Sequence, residues 1–78
     1  MKATLPALKQ AISSNIQRIR KEQHISQEKL ALKADVDRSY MSQIERCLAN
    51  PSIDALLRIS NALEVAPSEL LLLTKKKS

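Results

Sequence analysis

The sequence has 78 residues, of which 44% are hydrophobic and 27% are charged. This composition suits one small domain with its own core, so the chain as a whole is not a disordered segment. The formal net charge of +5 favours a polyanionic partner, although Lys75, Lys76 and Lys77 carry three of those charges at the very end of the chain.

The same counts argue against a secreted or membrane-spanning protein. Cys47 is the single cysteine, so no internal disulfide can form. The longest apolar run covers only residues 70–73, against about 20 residues for a membrane span. We therefore expect a cytoplasmic protein with one domain over residues 1–78. Its core should cover about 8–73, and residues 74–78 should form a disordered basic tail.

The spacing of apolar residues predicts an all-α fold of five helices without a strand. The first helix should cover about 6–22, because apolar residues recur every three or four positions and Pro6 suits a first turn. Those apolar residues are Leu5, Leu8, Ile12, Ile16 and Ile19. A second, short helix is predicted at about 27–34, with Ser26 as its N-cap and Glu28 well placed for the helix dipole.

The third helix, predicted at about 38–46, begins after the capping residue Asp37. At about 100° per residue, Met41, Ile44 and the trailing Leu48 share one face, which we expect to be buried. The opposite face, which we expect to be exposed, carries Ser39, Ser42, Gln43 and Arg46.

The fourth helix begins after Pro51 with Ser52 as its N-cap, and a short fifth helix begins at Pro67. The predicted inner face of the fourth helix consists of Ile53, Leu56, Leu57, Ser60 and Leu63. One short terminal helix cannot turn every leucine of residues 70–73 inward. Some of these leucines should therefore remain at the surface, where an apolar patch often marks a partner site.

The outward face of the third helix has the chemistry needed to read DNA bases in the major groove. Arginine can donate two hydrogen bonds to guanine, glutamine can pair with adenine, and serine adapts to either. Tyr40, the only aromatic residue, could reach a phosphate or pack on a thymine methyl group. A polar surface helix without a partner would look similar. However, the three-residue turn between the second and third helices is typical of a helix-turn-helix motif.

The sequence resembles the Cro/repressor-type helix-turn-helix family, often called XRE, from about Ile12 to Leu71. The resemblance is carried by "IRKEQHISQEKLALKADVDRSYMSQIER", "NPSIDALLRISNALEV" and "PSELL". Within the family, "DRSYMSQIER" in a chain of this size resembles restriction–modification controller proteins. The resemblance implies a compact five-helix, lambda-repressor-like domain that binds double-stranded DNA sequence-specifically and regulates transcription.

Carried over position by position, the resemblance implies roles for residues of this chain. Base edges would be contacted by Arg38, Ser39 and Gln43. The DNA backbone would be contacted by Gln27, Arg46, Asn50 and, depending on docking, Ser42 or Tyr40. Gln27 would also brace the recognition helix. Arg20 and Glu45 match a family pair that forms a partly buried salt bridge between the first and third helices.

Family members usually carry glycine at four helix connections where this chain has His24, Asp35, Cys47 and Glu64. Glycine suits these places because a helix often ends with a left-handed residue. Asp and His accept that conformation better than Cys and Glu do. Ala66 also replaces a Ser or Thr cap, which should weaken the last helix modestly.

The resemblance further implies self-association, since family members commonly pair through the C-terminal end of the domain. We expect a homodimer with Leu70, Leu72 and Leu73 at its interface. Its operator would be an inverted repeat, and the bound protein would block or recruit RNA polymerase. No cofactor, metal, small-molecule substrate or membrane partner is expected.

Three alternative interpretations fit the sequence less well. His24 and Cys47 supply too few ligands for zinc and no oriented nucleophile, so catalysis is not expected. The stretch "ELLLLTKKKS" combines apolar residues with lysines, as a membrane-surface anchor does, but is too short to hold a bilayer strongly. An antitoxin or adaptor that binds a partner protein could keep the same fold. Such a module should expose apolar residues on its third helix.

Overall fold

The computed structural model describes residues 2–73. Within that range there are five α-helices and no strand, so the predicted fold class is confirmed. The helices are α1 (Leu5–Glu22), α2 (Gln27–Ala34), α3 (Arg38–Glu45), α4 (Ile53–Leu63) and α5 (Pro67–Leu70). None of them is long and apolar enough to cross a membrane. The tail predicted at 74–78 lies outside the described residues.

Side-chain caps fix where four of the helices begin. Thr4, Ser26, Asp37 and Ser52 each accept a hydrogen bond from a backbone N–H of the first turn, at 3.0 to 3.3 Å. Three of these caps were predicted from the sequence. The cap at Thr4 was not, and it starts α1 at Leu5 rather than at residue 6. α5 follows Ala66 and has no side-chain cap, as expected for alanine.

Four connections turn through a left-handed residue that is not glycine. His24, Asp35, Cys47 and Glu64 have φ angles of 58°, 56°, 62° and 60°. In each case the next residue donates its N–H to the carbonyl five positions earlier, at 2.8 to 3.2 Å. This bond is the one that closes a Schellman motif at a helix end. The chain therefore keeps a glycine-type turn at all four positions with other residues.

A single apolar core joins the five helices. Its buried members are Ile12, Ile16, Ile19, Leu30, Ala31, Ala34, Met41, Ile44, Ile59, Leu63 and Leu70. α3 contributes only Met41 and Ile44 to this set, although it packs on both α1 and α2. Apolar packing alone therefore gives α3 few contacts with the rest of the domain.

Several apolar residues predicted to face inward are exposed instead. Leu48 is 62% exposed because the left-handed Cys47 turns the chain before it, so the helical wheel of α3 does not extend that far. Ile53 and Leu57 are 86% and 48% exposed. The buried residues of α4 are Ala55, Ile59, Ser60 and Leu63. That stripe is rotated away from Ile53 and Leu57, which leaves both at the surface. Leu5 is also exposed, at the free end of α1.

Candidate nucleic-acid interface

The outward face of α3 is polar and open to solvent. Arg38, Ser39 and Gln43 are exposed, and Ser42 is half-buried. Met41 and Ile44 point the other way, into the core. The predicted division of α3 into a buried and an exposed face is therefore correct up to the end of the helix, where Leu48 departs from it.

A groove of about 460 Å³ runs along this face, next to the start of α2. Six of the eight residues expected to contact DNA line it together with Asp37. The lining residues are Gln27, Asp37, Arg38, Ser39, Ser42, Gln43 and Arg46. The structure thus brings the three base-reading candidates and three of the backbone candidates onto one concave surface.

The two arginines of the groove are available to a ligand. Among residues 2–73, neither Arg38 nor Arg46 takes part in an ion pair. The carboxylate of Asp37 is engaged at the start of α3, where one of its oxygens accepts the backbone N–H groups of Ser39 and Tyr40 at 3.0 and 3.3 Å. The groove therefore offers two guanidinium groups to a polyanion.

Behind the groove, Arg20 and Glu45 form a bidentate ion pair. Arg20 Nε donates to Glu45 Oε2 and Arg20 Nη2 to Glu45 Oε1, both at 3.0 Å. The side chains are 13% and 4% exposed, respectively. Gln27 Nε2 also donates to Glu45 Oε1 at 3.1 Å, and Arg20 Nη1 donates to the carbonyl of Ile25 at 3.1 Å. Gln27 therefore contacts α3 from the start of α2 while lining the groove.

Tyr40 and Asn50, two further candidates for DNA-backbone contact, lie outside the groove. Tyr40 is half-buried, and its ring packs against the core. Its hydroxyl accepts the N–H of Ser52 at 3.0 Å and donates to the carbonyl of Asn50 at 3.4 Å. The structure therefore uses this hydroxyl to connect α3 with the turn before α4. That Tyr40 contacts the DNA backbone stays a prediction.

Two residues of α1 that sequence reasoning missed also hold α3. Ser13 Oγ donates to the carbonyl of Glu45 at 2.6 Å. Gln17 Nε2 donates to the same carbonyl at 2.9 Å and to Ser13 Oγ at 3.0 Å. Their positions could have been a signal: Ser13, Gln17 and Arg20 recur at helical spacing beside the apolar stripe of α1.

A third missed residue, Asn15, holds the C-terminal segment. Asn15 is buried, and its Nδ2 donates to the carbonyls of Leu70 and Leu72, both at 3.0 Å. Leu70 itself is fully buried in the core. Its expected place at a dimer interface is therefore wrong, because its side chain already fills the space beneath α5. Leu72 and Leu73 are about half exposed, at 52% and 50%.

The family model described as helix-turn-helix matches residues 16–70, which include all of α2 to α5. The chain belongs to the XRE-type helix-turn-helix family. The predicted family is thus confirmed, and α2 and α3 are the two helices of its motif.

Similar family members include control protein C.BamHI of Bacillus amyloliquefaciens and the transcriptional regulator SinR of Bacillus subtilis. The chain is 50% identical to C.BamHI over 48 residues, or 62% of this chain and 59% of C.BamHI. It is 46% identical to SinR over 61 residues, or 77% of this chain and 55% of SinR. The chain thus spans little more than half the length of these two relatives.

Solved structures of family members share the fold. The restriction–modification controller protein C.AhdI from Aeromonas hydrophila superposes with a TM-score of 0.77 at 32% identity, over 80% of this chain and 94% of that one. The N-terminal DNA-binding domain of SinR superposes with a TM-score of 0.74 at 46% identity, over 77% and 88% of the two chains. The match to C.AhdI covers 80% of this chain, so the helix-turn-helix fold of this family accounts for most of the described residues.

Proposed function

We propose that this protein regulates transcription by binding double-stranded DNA sequence-specifically through α3. The observation that carries the proposal is the groove along the outward face of α3. It combines two arginines without ion-pair partners among residues 2–73 with exposed Ser39 and Gln43. These are donor and acceptor groups that base edges can use.

The dimensions of α3 support this mode of binding. An α-helix with its side chains is about 10–12 Å in diameter, and the B-DNA major groove is about 12 Å wide. With α3 in the groove, Arg38, Ser39 and Gln43 read base edges. Arg46 and Gln27 flank them and bind phosphates, the latter at the start of α2, where free N–H groups favour an anion.

Contacts beyond the groove belong to the same proposal. Ser42 lines the groove beside the base-reading residues and contacts the DNA backbone. Asn50 is exposed in the turn that Tyr40 holds and reaches the next phosphate along the strand. Tyr40 then acts chiefly through the position of that turn.

The protein acts as a homodimer on an inverted-repeat operator. Leu72 and Leu73, each about half exposed at the end of α5, support pairing through this end of the molecule. Two-fold symmetry then places the two copies of α3 in successive major grooves, about 34–36 Å apart. The dimer occupies promoter DNA in the cytoplasm and blocks or recruits RNA polymerase. The similarity to control protein C.BamHI and to C.AhdI supports a controller role.

Selection of bound duplexes from a random pool, followed by gel shifts at two salt concentrations, tests the proposal. We expect an enriched inverted repeat and a binding constant that falls steeply with salt, because phosphate contacts release counterions. Failure to enrich any sequence, together with weak and salt-independent binding, would contradict DNA recognition. It would favour the adaptor alternative, against which the polar outward face of α3 already argues.

A further inference from the structure

At the C-terminal end of α3, one backbone carbonyl accepts two side-chain hydrogen bonds from α1, in addition to the ion pair between the Glu45 side chain and Arg20. The carbonyl of Glu45 accepts hydrogen bonds from Ser13 Oγ at 2.6 Å and from Gln17 Nε2 at 2.9 Å. Gln17 Nε2 also donates to Ser13 Oγ at 3.0 Å, so the three groups form a closed triangle. We call Ser13 and Gln17 the α1 clamp.

Helix geometry explains why this carbonyl is free to be clamped. The last four carbonyls of an α-helix have no partner within the helix. In α3 three of them are satisfied just beyond the helix end. The carbonyls of Ser42, Gln43 and Ile44 accept the N–H groups of Arg46, Leu48 and Cys47, respectively. The carbonyl of Glu45 remains, and side chains of α1 satisfy it.

We propose that Ser13 and Gln17 are positioning residues for base recognition, which they assist without touching DNA. This inference rests on the proposed function, in which α3 reads base edges. The clamp holds the end of α3 that carries Gln43 and Arg46. The other end, with Arg38, is held separately by the three-residue turn from α2 and by the Asp37 cap.

The clamp matters because base recognition tolerates only small displacements of α3. α3 is about 12 Å long, so a tilt of about 10° around its first residue moves its last turn by about 2 Å. Productive contacts must be held to about 0.5 Å. Met41 and Ile44 are the residues of α3 in the buried apolar core, and the Arg20–Glu45 pair holds the side chain at its distal end. The clamp fixes the backbone at that end.

Replacing Gln17 by methionine tests the inference, because the side chain keeps its length but loses its donor. Gln17 is half-buried, and the exposed Gln10 of the same helix supplies the matched control, Gln10→Met. Ser13→Ala, with exposed Ser14→Ala as its control, gives a second comparison should Gln17→Met lower the Tm below the assay temperature.

The measurement is the affinity of each variant for the selected operator and for every single-base-pair change in one half-site. The base pairs read by Gln43 and Arg38 are assigned first from Gln43→Ala and Arg38→Ala. Loss of the clamp should reduce discrimination at the Gln43 base pair by about threefold to tenfold, the range of one lost hydrogen bond. Discrimination at the Arg38 base pair should be retained, and both controls should match the parent protein.

Different results would overturn the positioning role and the proposed function. Unchanged discrimination at the Gln43 base pair in the clamp variants would overturn the positioning role. An equal loss of affinity at every base pair would overturn it too, since that result marks a purely structural contact. If Gln43→Ala and Arg38→Ala themselves left all discrimination intact, base reading by α3 would be wrong.

Discussion

Glu45 is the residue at which the polar contacts behind the groove converge. Its carboxylate binds Arg20 and Gln27, and its carbonyl binds Ser13 and Gln17. Three helices therefore meet at one side chain and its backbone. A buried charge of this kind is tolerated because each oxygen of its carboxylate has a donor.

Removing one partner of the Arg20–Glu45 pair should destabilise the protein strongly. A stranded buried charge costs about 3–5 kcal/mol, and in a domain of this size about 1 kcal/mol shifts the Tm by roughly 4–8 °C. We expect large Tm losses for Arg20→Ala and Glu45→Ala in thermal denaturation followed by circular dichroism, and a less than additive loss for the double variant.

The control for this pair is the exposed ion pair between Arg18 and Glu22, four residues apart on α1. Exposed pairs contribute at most about 1 kcal/mol, so Arg18→Ala should change the Tm little. Strictly additive losses from Arg20→Ala and Glu45→Ala would show that the two residues are not coupled in solution.

The two arginines of the groove should separate base reading from phosphate binding. Arg38→Ala should lower affinity for the operator by about 1–3 kcal/mol and relax preference at one base pair. Arg46→Ala should weaken binding to all sequences alike and flatten its salt dependence. Binding titrations on operator and scrambled DNA at several salt concentrations measure both effects. An equal loss on both DNAs for Arg38→Ala would rule out its base-reading role.

At the scale of the helices, the turns with left-handed non-glycine residues are the places where a substitution could stabilise the protein. A non-glycine residue in the left-handed conformation costs about 1–2 kcal/mol. Glu64 is exposed and ends α4 in that conformation. Glu64→Gly should therefore raise the free energy of unfolding by about 1 kcal/mol in urea titrations, after allowance for the greater backbone entropy of glycine.

The matched control for this change lies one turn earlier on the same helix. Asn61 is exposed within α4, where glycine costs about 0.5–1 kcal/mol. Asn61→Gly should therefore lower stability by a similar amount. If both glycine substitutions destabilised the protein equally, the left-handed turn at Glu64 would carry no strain.

Tyr40 joins α3 to the turn before α4 through its hydroxyl group. Tyr40→Phe keeps the ring in its half-buried site but leaves the N–H of Ser52 and the carbonyl of Asn50 without this partner. We expect a loss of about 0.5–1.5 kcal/mol in the free energy of unfolding. Hydrogen exchange should show faster exchange at the Ser52 amide. An unchanged exchange rate there would mean that the bond is not formed in solution.

Local features were predictable from the sequence, and contacts between distant helices were not. The caps at Ser26, Asp37 and Ser52 depend on residues two or three positions away, so the starts of three helices followed from short stretches. The Arg20–Glu45 pair was predicted only through the resemblance to a family. Ser13 and Gln17 were missed because their acceptor lies 28 to 32 residues away, and nothing local to α1 indicates where α3 will pack.

The exposed apolar residues show the same limit. A helical wheel gives relative directions around one helix, but the packing of neighbouring helices decides which direction is inward. The predicted buried face of α4 is therefore rotated from the observed one, and Ile53 and Leu57 lie at the surface. Leu48 was misplaced for a different reason, since the wheel was extended past the end of its helix.

For the whole molecule, the decisive question is whether two copies pair through the end of α5. Leu72→Lys combined with Leu73→Lys should convert the dimer to a monomer in sedimentation at tens of micromolar, because two charges would enter an apolar contact. Leu32→Lys, at a position that is also exposed but lies on α2, is the control and should remain dimeric. A parent protein that sediments as a monomer and protects one unsymmetrical half-site would exclude the proposed dimer.

The two bonds from Asn15 to the end of α5 also bear on the order in which the chain folds. They close loops of 55 and 57 residues, the kind of contact that forms late because chain entropy must be lost first. The leucine segment should therefore dock after α1 to α4 have packed. A nascent or partly folded chain would then lack the surface proposed for pairing, so that only finished subunits can associate.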